Sequence, residues 1–171
     1  MKVLLTCIAI NTLLCLNAEA QEINGLGISL LKGISFQRAN LTLPWGTTFD
    51  EITKYGNPKI FCSTKTNTKV LWDSVYIQDS IKVNFWAFYF RCFEKHKPTH
   101  KLNTIYGSID SVDISKLKTL LENYSNTPAS VFKSKKSFTY GWIIDNCNVK
   151  LGYRKNGEAF FDIQTKNKAF W

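Results

Sequence analysis

The segment Ile81–Phe93 constrains the fold more than any other part of this 171-residue chain. Read with the two-residue period of a β-strand, both of its faces are apolar. One face carries Phe85, Ala87, Tyr89 and Phe93, and the other carries Trp86, Phe88, Phe90 and Cys92. Such a strand lies inside a sheet that is covered on both sides, or it is covered by a partner molecule. We expect core packing, because aromatic rings bury large areas.

Five further segments have the composition of strands. They are Lys69–Ile77, Lys101–Ile109, Ser137–Ile144, Asn148–Arg154 and Glu158–Gln164. The last two are separated by Asn156-Gly157, which is the strongest two-residue signal for a hairpin turn.

Two shorter stretches have the apolar spacing of helices. Phe49, Ile52 and Tyr55 lie three residues apart, and Thr48 with Glu51 has the spacing of a capping box. The second stretch has apolar residues three and four apart, at Ile114, Leu117, Leu121 and Tyr124.

The order of these patterns indicates an internal repeat. Each helical pattern ends in Tyr, polar turn residues and a Pro, and a Trp follows 14 residues after Pro58 and after Pro128. The prediction is an α+β fold of two tandem helix-plus-antiparallel-sheet repeats forming one compact domain. An N-terminal segment spans residues 21–43, the first repeat 44–110 and the second 111–171.

Residues 1–20 have the pattern of a secretory signal peptide. Lys2 precedes the apolar run Val3–Leu16, and Ala18-Glu19-Ala20 fits a cleavage site before Gln21. The run is short for a membrane anchor, which needs about 20 apolar residues. We therefore expect export to the periplasm or the extracellular space, with no transmembrane segment in the mature chain.

Cleavage removes one Lys and one Glu, so the net charge stays at +9. It leaves Cys62, Cys92 and Cys147, which allow one disulfide in an oxidising compartment and leave one thiol over. All three pairings remain open at this point.

The basic excess is concentrated in connections between the predicted strands. These residues are Lys65 and Lys69, then Arg91, Lys95, Lys97 and Lys101, then Lys133, Lys135 and Lys136. The clusters that precede strands could form one positive rim that attracts an acidic protein or a membrane surface. The alternative is a solvated surface that keeps the protein in solution.

Three tryptophans, Trp45, Trp72 and Trp142, are candidate interface anchors if they are exposed. Packing in the core is the alternative for each of them.

Nothing in the sequence carries a catalytic or cofactor-binding signature. His96 and His100 lie near Glu94 and are weak candidates for Zn²⁺ ligands, but the surrounding cations oppose a bound cation. No phosphate-binding loop, nucleophile elbow or nucleic-acid motif is present. We expect no cofactor, no metal and no nucleic-acid partner.

The stretch Trp45-Gly46-Thr47-Thr48-Phe49-Asp50-Glu51-Ile52 with Tyr55-Gly56-Asn57-Pro58 resembles a pattern of small envelope proteins. These are the outer-membrane assembly lipoprotein modules of the SmpA/OmlA type and the β-lactamase-inhibitor-like fold. The resemblance implies tandem helix-plus-sheet repeats and binding to another protein. The second repeat lacks a Gly before Pro128, and no lipid-attachment motif is present.

The sequence thus predicts an exported protein-binding module, with an inhibitor or immunity-type blocker as its more specific form. The alternatives are a small secreted enzyme and a carrier of a small apolar ligand in a cavity lined by the strand at Ile81–Phe93.

Overall fold

The computed structural model describes residues 30–36, 40–64, 67–78, 80–90 and 101–167, except for the side chains of 62–64, 67 and 90. Ten strands occur in this part of the chain. They are β1 (Gly33–Phe36), β2 (Leu41–Pro44), β3 (Lys59–Thr64), β4 (Asn67–Ile77), β5 (Ile81–Phe90), β6 (Thr104–Ile109), β7 (Ser130–Lys133), β8 (Ser137–Ile144), β9 (Cys147–Arg154) and β10 (Ala159–Thr165). The helical segments are α1 (Phe49–Ile52), a 3₁₀ turn (Ser111–Asp113) and α2 (Ile114–Ser125).

Strands β3 to β10 form one antiparallel sheet in the order β3-β4-β5-β6-β10-β9-β8-β7. The pairing of β6 with β10 joins the strands before α2 to those after it. Strands β1 and β2 form a separate hairpin.

The predicted α+β fold of two helix-plus-sheet repeats is wrong, because the protein is mostly β and its large sheet is continuous. The first helical pattern forms only one turn, Phe49–Ile52. The positive φ angles of Gly56 and Asn57, followed by Pro58, direct the chain into β3. The capping contact is present, with the Thr48 N–H donating to the Glu51 carboxylate at 2.8 Å.

Several local predictions are confirmed. The predicted strand Lys69–Ile77 lies within β4, and Ser137–Ile144 is observed as β8. A hairpin turn that contains Asn156-Gly157 joins β9 to β10, with Gly157 at φ +81°. Its loop has three residues instead of the predicted two, because the N–H of Arg154 donates to the carbonyl of Glu158 at 2.9 Å. Helix α2 buries Ile114, Leu117 and Leu121, as its spacing predicts.

One face of the sheet, called the covered face from here on, carries the core. Phe36 of the hairpin stacks on Phe85 of β5 with ring centroids 4.5 Å apart, and Trp72 of β4 stacks on Phe85 at 5.0 Å. Helix α2 packs on β8 and β9 of the same face. The Tyr124 hydroxyl donates to the Asp145 carboxylate and ties the end of α2 to the β8–β9 turn.

One row of the covered face crosses seven strands and ends at Val131 of β7, the Cα partner of Tyr140. Its successive Cα partners are Trp72, Phe85, Gly107, Phe161, Leu151 and Tyr140. A Cβ atom added to Gly107 would lie 2.0 Å from Cε1 of Phe161. The Phe161 ring thus lies over the glycine, and this packing requires that position 107 have no side chain.

We predict that Gly107→Ala lowers the free energy of unfolding by about 3 kcal/mol, because the methyl group displaces the buried Phe161 ring. Urea unfolding of residues 21–171 measures the change. Gly141→Ala is the matched control, because its nearest contact is the exposed Phe132 side chain and the change should stay below about 1 kcal/mol. Equal losses for the two variants would contradict the packing described for Phe161.

Candidate functional site

The opposite face of the sheet carries no helix or hairpin from the part of the chain that the structure describes. We call it the open face. One row of it crosses all eight strands, and its successive Cα partners are Lys59, Leu71, Trp86, Tyr106, Asp162, Lys150, Gly141 and Ser130. Burial alternates along β5, where the covered-face residues are buried and Trp86 and Phe88 are half-buried. The open face is therefore partly exposed although it is aromatic.

The aromatic side chains of the open face form a cluster on β5 and β6. Phe88 contacts Tyr106 edge to face, with ring centroids 5.5 Å apart. The Nζ atom of Lys69 lies 4.2 Å from the centroid of the Trp86 ring, which is a cation–π contact. Phe61 on β3 is the Cα partner of Lys69 and is 47% exposed. These contacts hold apolar rings beside a positive charge in partial contact with solvent.

A carboxylate lies at the centre of the row. Burial raises the pKa of Asp162, and the nearby charges of Lys150 and Arg154 oppose that shift. The described residues offer Asp162 no hydrogen bond or ion pair. Burial is also the main cause that raises the pKa of Tyr106, and the negative charge of Asp162 raises it further.

Positive charge surrounds the aromatic cluster. Lys82 and Lys150 are exposed on the open face, and Lys59 forms an ion pair with Asp73 at 2.5 Å. Arg154 lies over the Phe160 ring at 5.4 Å and forms an ion pair with Glu158 at 3.1 Å. The open face thus has more cations than carboxylates, and an acidic surface complements it.

The three predicted tryptophan anchors lie in the core. Trp45, Trp72 and Trp142 are 8%, 3% and 5% exposed, so the exposure that an anchor needs is missing. Nε1 of Trp45 donates to the Leu30 carbonyl at 3.1 Å and Nε1 of Trp72 to the Tyr55 carbonyl at 2.8 Å. Nε1 of Trp142 is buried and has no hydrogen-bond partner in the part of the chain that the structure describes. The alternative interpretation, core packing, is the one observed.

The described members of the basic clusters do not form one rim. Lys69 lies on β4 and Lys133 on β7, at opposite ends of the sheet order. Six strand spacings separate β4 from β7, which is about 30 Å. Lys101, Lys133 and Lys135 are exposed, as expected of a basic surface. Four predicted contacts, Lys65, Arg91, Lys95 and Lys97, lie outside the described residues.

The predicted metal candidates His96 and His100 also lie outside the described residues. Among the residues that the structure does describe, no group of three potential metal ligands comes together. Cys147 is a buried free thiol, which disagrees with both disulfide pairings that include it. The remaining pairing joins Cys62 to Cys92. The side chain of Cys62 and all of Cys92 lie outside the described residues.

The sequence prediction missed the residues of the open face as a site. The alternation in Ile81–Phe93 correctly placed Trp86 and Phe88 on one face of the strand. The expectation that this face is packed in the core is wrong for its described residues, which are half-buried. The signal was present, because a strand with two apolar faces needs either a second covering layer or a partner. Tyr106 and Asp162 carried no signal, since their neighbours depend on the pairing of β6 with β10.

Comparisons with protein-family models, with curated proteins and with solved structures found no match to this chain. No helix among the described residues has both the length and the apolar character needed to cross a membrane.

We predict that Asp162→Asn raises the free energy of unfolding at pH 7. Because the folded state raises the pKa of Asp162, its ionised form costs stability at neutral pH, and the cost disappears as the pH falls below that pKa. The difference between the variant and the wild type should therefore shrink from pH 7 to pH 3. Urea unfolding at several pH values measures it, and a difference that grows toward low pH would contradict the burial of this carboxylate.

We also predict that Cys147 resists alkylation in the folded chain. Burial raises the pKa of its thiol to about 11, so on the order of 0.1% is thiolate at pH 8. Its Sγ lies 3.7 Å from the Leu30 carbonyl oxygen inside the core. Iodoacetamide labelling, read by mass spectrometry of the Cys147 peptide, should be at least about 100-fold slower in buffer than in guanidinium chloride. Recovery of Cys147 in a disulfide would refute this.

Proposed function

We propose that this chain is an exported protein-binding module, and that its open face packs against an acidic surface of another protein. The observation that carries the proposal is the cluster of Trp86, Phe88 and Tyr106, which is half-buried on a face that no described helix or hairpin covers. Tyr and Trp are enriched among the residues that dominate binding energy at protein interfaces. Export rests on the signal-peptide pattern of residues 1–20.

The dimensions of the sheet fit a protein partner. Eight strands spaced about 4.8 Å apart span about 34 Å, and strands of six to eight residues are about 20–27 Å long. The resulting area is on the order of 800 Å², which is the contribution of one partner to an interface of standard size.

The charges of the face favour an acidic partner. Lys69, Lys82 and Lys150 lie around the aromatic cluster, and the whole chain carries a net charge of +9. Such a field speeds the encounter with an acidic surface and weakens as salt screens it. Lys69 also loses little hydration when a partner covers it, because it already lies against the Trp86 ring.

A blocking role, as an inhibitor or an immunity-type protein, is the specific form of this proposal. The open face is built on a sheet whose other face is a packed core, so its aromatic side chains are held in place before binding. A surface of this kind loses little conformational entropy when it covers a site on its partner.

The test uses a partner isolated on the immobilised mature chain from envelope and secreted protein of the source cells. We predict that Trp86→Ala weakens its binding at least about 30-fold, because a central aromatic anchor is removed. The control Val112→Ala removes an exposed apolar side chain from the 3₁₀ turn and should leave the affinity unchanged. Surface plasmon resonance measures both, and circular dichroism confirms that both fold.

A charge reversal tests whether the positive charge of the open face attracts the partner. Lys69→Glu should slow association at low salt, and the difference from the wild type should shrink at high salt. Lys135→Glu, at the opposite edge of the sheet, makes the same charge change away from the aromatic cluster. Equal effects of Lys69→Glu and Lys135→Glu, together with an unaltered affinity of Trp86→Ala, would overturn the assignment of the open face.

A further inference from the structure

A cleft of about 500 Å³ lies where β4 extends beyond β3. Strand β3 begins at Lys59, opposite Leu71, so the residues of β4 after Leu71 pair only with β5 among the described strands. The segment before β3, at Gly56 and Asn57, forms the facing wall of the cleft. The cleft therefore lies at an edge of the sheet, in line with β3.

The wall formed by β4 is fixed by a β-bulge. The register of β4 with β5 shifts between Trp72 and Val75, and Ser74 adopts a positive φ of +59°. The N–H of Ser74 donates to Oδ1 of Asn84 at 2.8 Å, which satisfies this group within the bulge. Bulges of this kind bend a strand and change the direction of its side chains. The cleft is thus formed before any ligand binds.

The lining of the cleft combines an apolar base with a charged rim. Leu41, Trp72 and Val75 are buried and supply the apolar contacts. Asp73 and Lys59 are exposed at the rim, where Nζ of Lys59 bonds Oδ2 of Asp73 at 2.5 Å. The other carboxylate oxygen, Oδ1 of Asp73, has no partner among the described residues.

We propose that this cleft binds a tyrosine or tryptophan side chain that the protein partner presents beside the open face. The volume lies within the range of ligand pockets. The apolar base fits an aromatic ring, and Asp73 accepts a hydrogen bond from a phenol O–H or an indole N–H. The aliphatic side chains of Leu, Ile and Val fill the base but leave the carboxylate without that bond.

The cleft lies at the sheet edge where the two faces meet, because Trp72 belongs to the covered face and Lys59 and Leu71 belong to the open face. The two residues shared with the open face are the reason for assigning the occupant to the partner that covers that face. Lys59 and Leu71 line the cleft and are also the first two members of the row that leads to Trp86. Aromatic anchors of protein interfaces insert into pockets of this kind beside a larger contact surface. The inference rests on the proposed function for the partner, but the ring chemistry of the cleft can be tested alone.

The test adds three small probes to the ¹⁵N-labelled mature chain: N-acetyl-tyrosinamide, N-acetyl-phenylalaninamide and N-acetyl-leucinamide. We expect saturable shifts of the Trp72 indole N–H and of the Ser74 and Val75 amides, with a Kd for the tyrosine probe on the order of 1 mM. The phenylalanine probe lacks the hydroxyl and should bind at least about threefold more weakly. The leucine probe should bind most weakly.

Two matched variants isolate the carboxylate. Asp73→Asn should reduce the preference for the tyrosine probe over the phenylalanine probe, because a neutral amide oxygen accepts a weaker hydrogen bond than a carboxylate does. Glu158→Gln changes another exposed carboxylate that is in an ion pair, in the turn between β9 and β10, and should keep the preference. Preserved amide spectra show that both variants fold.

Shifts that are absent up to 50-fold above the expected Kd, or that map outside the cleft, would overturn the inference. With the partner in hand, Asp73→Asn should weaken its binding. A partner that binds this variant as tightly as the wild type, while the tyrosine probe still binds the cleft, would show that the partner places no such ring there, and that result would also overturn the inference. Failure here leaves the Trp86→Ala result untouched, so the two proposals fail separately.

Discussion

The stacking of Phe36 and Trp72 on Phe85 is the contact on which the rest of the structure depends. It places the β1–β2 hairpin over the first strands of the sheet and decides which face of β5 is buried. Helix α2 covers the later strands on the same side. Because side chains alternate along a strand, burying Phe85 directs Trp86 and Phe88 to the opposite face. The exposure of that face is a direct consequence of how the core is built.

The open face has the properties of a prepared binding surface. Its rings are fixed by neighbouring side chains, and Lys69 lies against Trp86 rather than extending freely into water. Asp162 is half-buried at a position where ionisation costs free energy. Groups that are partly dehydrated before binding lose less when a partner covers them. The open face therefore lowers the stability of the free chain, and it needs little rearrangement when a partner binds.

Local structure could be predicted from the sequence wherever it depends only on residues close together in the chain. The alternation of β5, the spacing in α2 and the Asn156-Gly157 turn were all predicted, since each depends on neighbouring residues. The fold class could not be read in this way. The pairing of β6 with β10 makes one sheet of both halves, and it depends on packing such as that of Phe161 over Gly107.

The candidate site shows the same limit. The sequence contains five tryptophans, but it does not show that Trp45, Trp72 and Trp142 are buried in the core. Strand alternation gave two faces without saying which one the hairpin covers. Likewise, nothing local indicates that Asp162 becomes the neighbour of Tyr106, since 55 residues separate them in sequence and only the sheet brings them together.

The central claim is that one face of the sheet is covered and the other is open. Solvent paramagnetic relaxation by a neutral gadolinium chelate, read on aromatic side-chain protons by NMR, tests it most directly. We expect strong relaxation for Trp86, Phe88 and Tyr106 and little for Trp72 and Phe85. Equal protection of both groups would show that the open face is covered in the free chain, and that result would contradict the account.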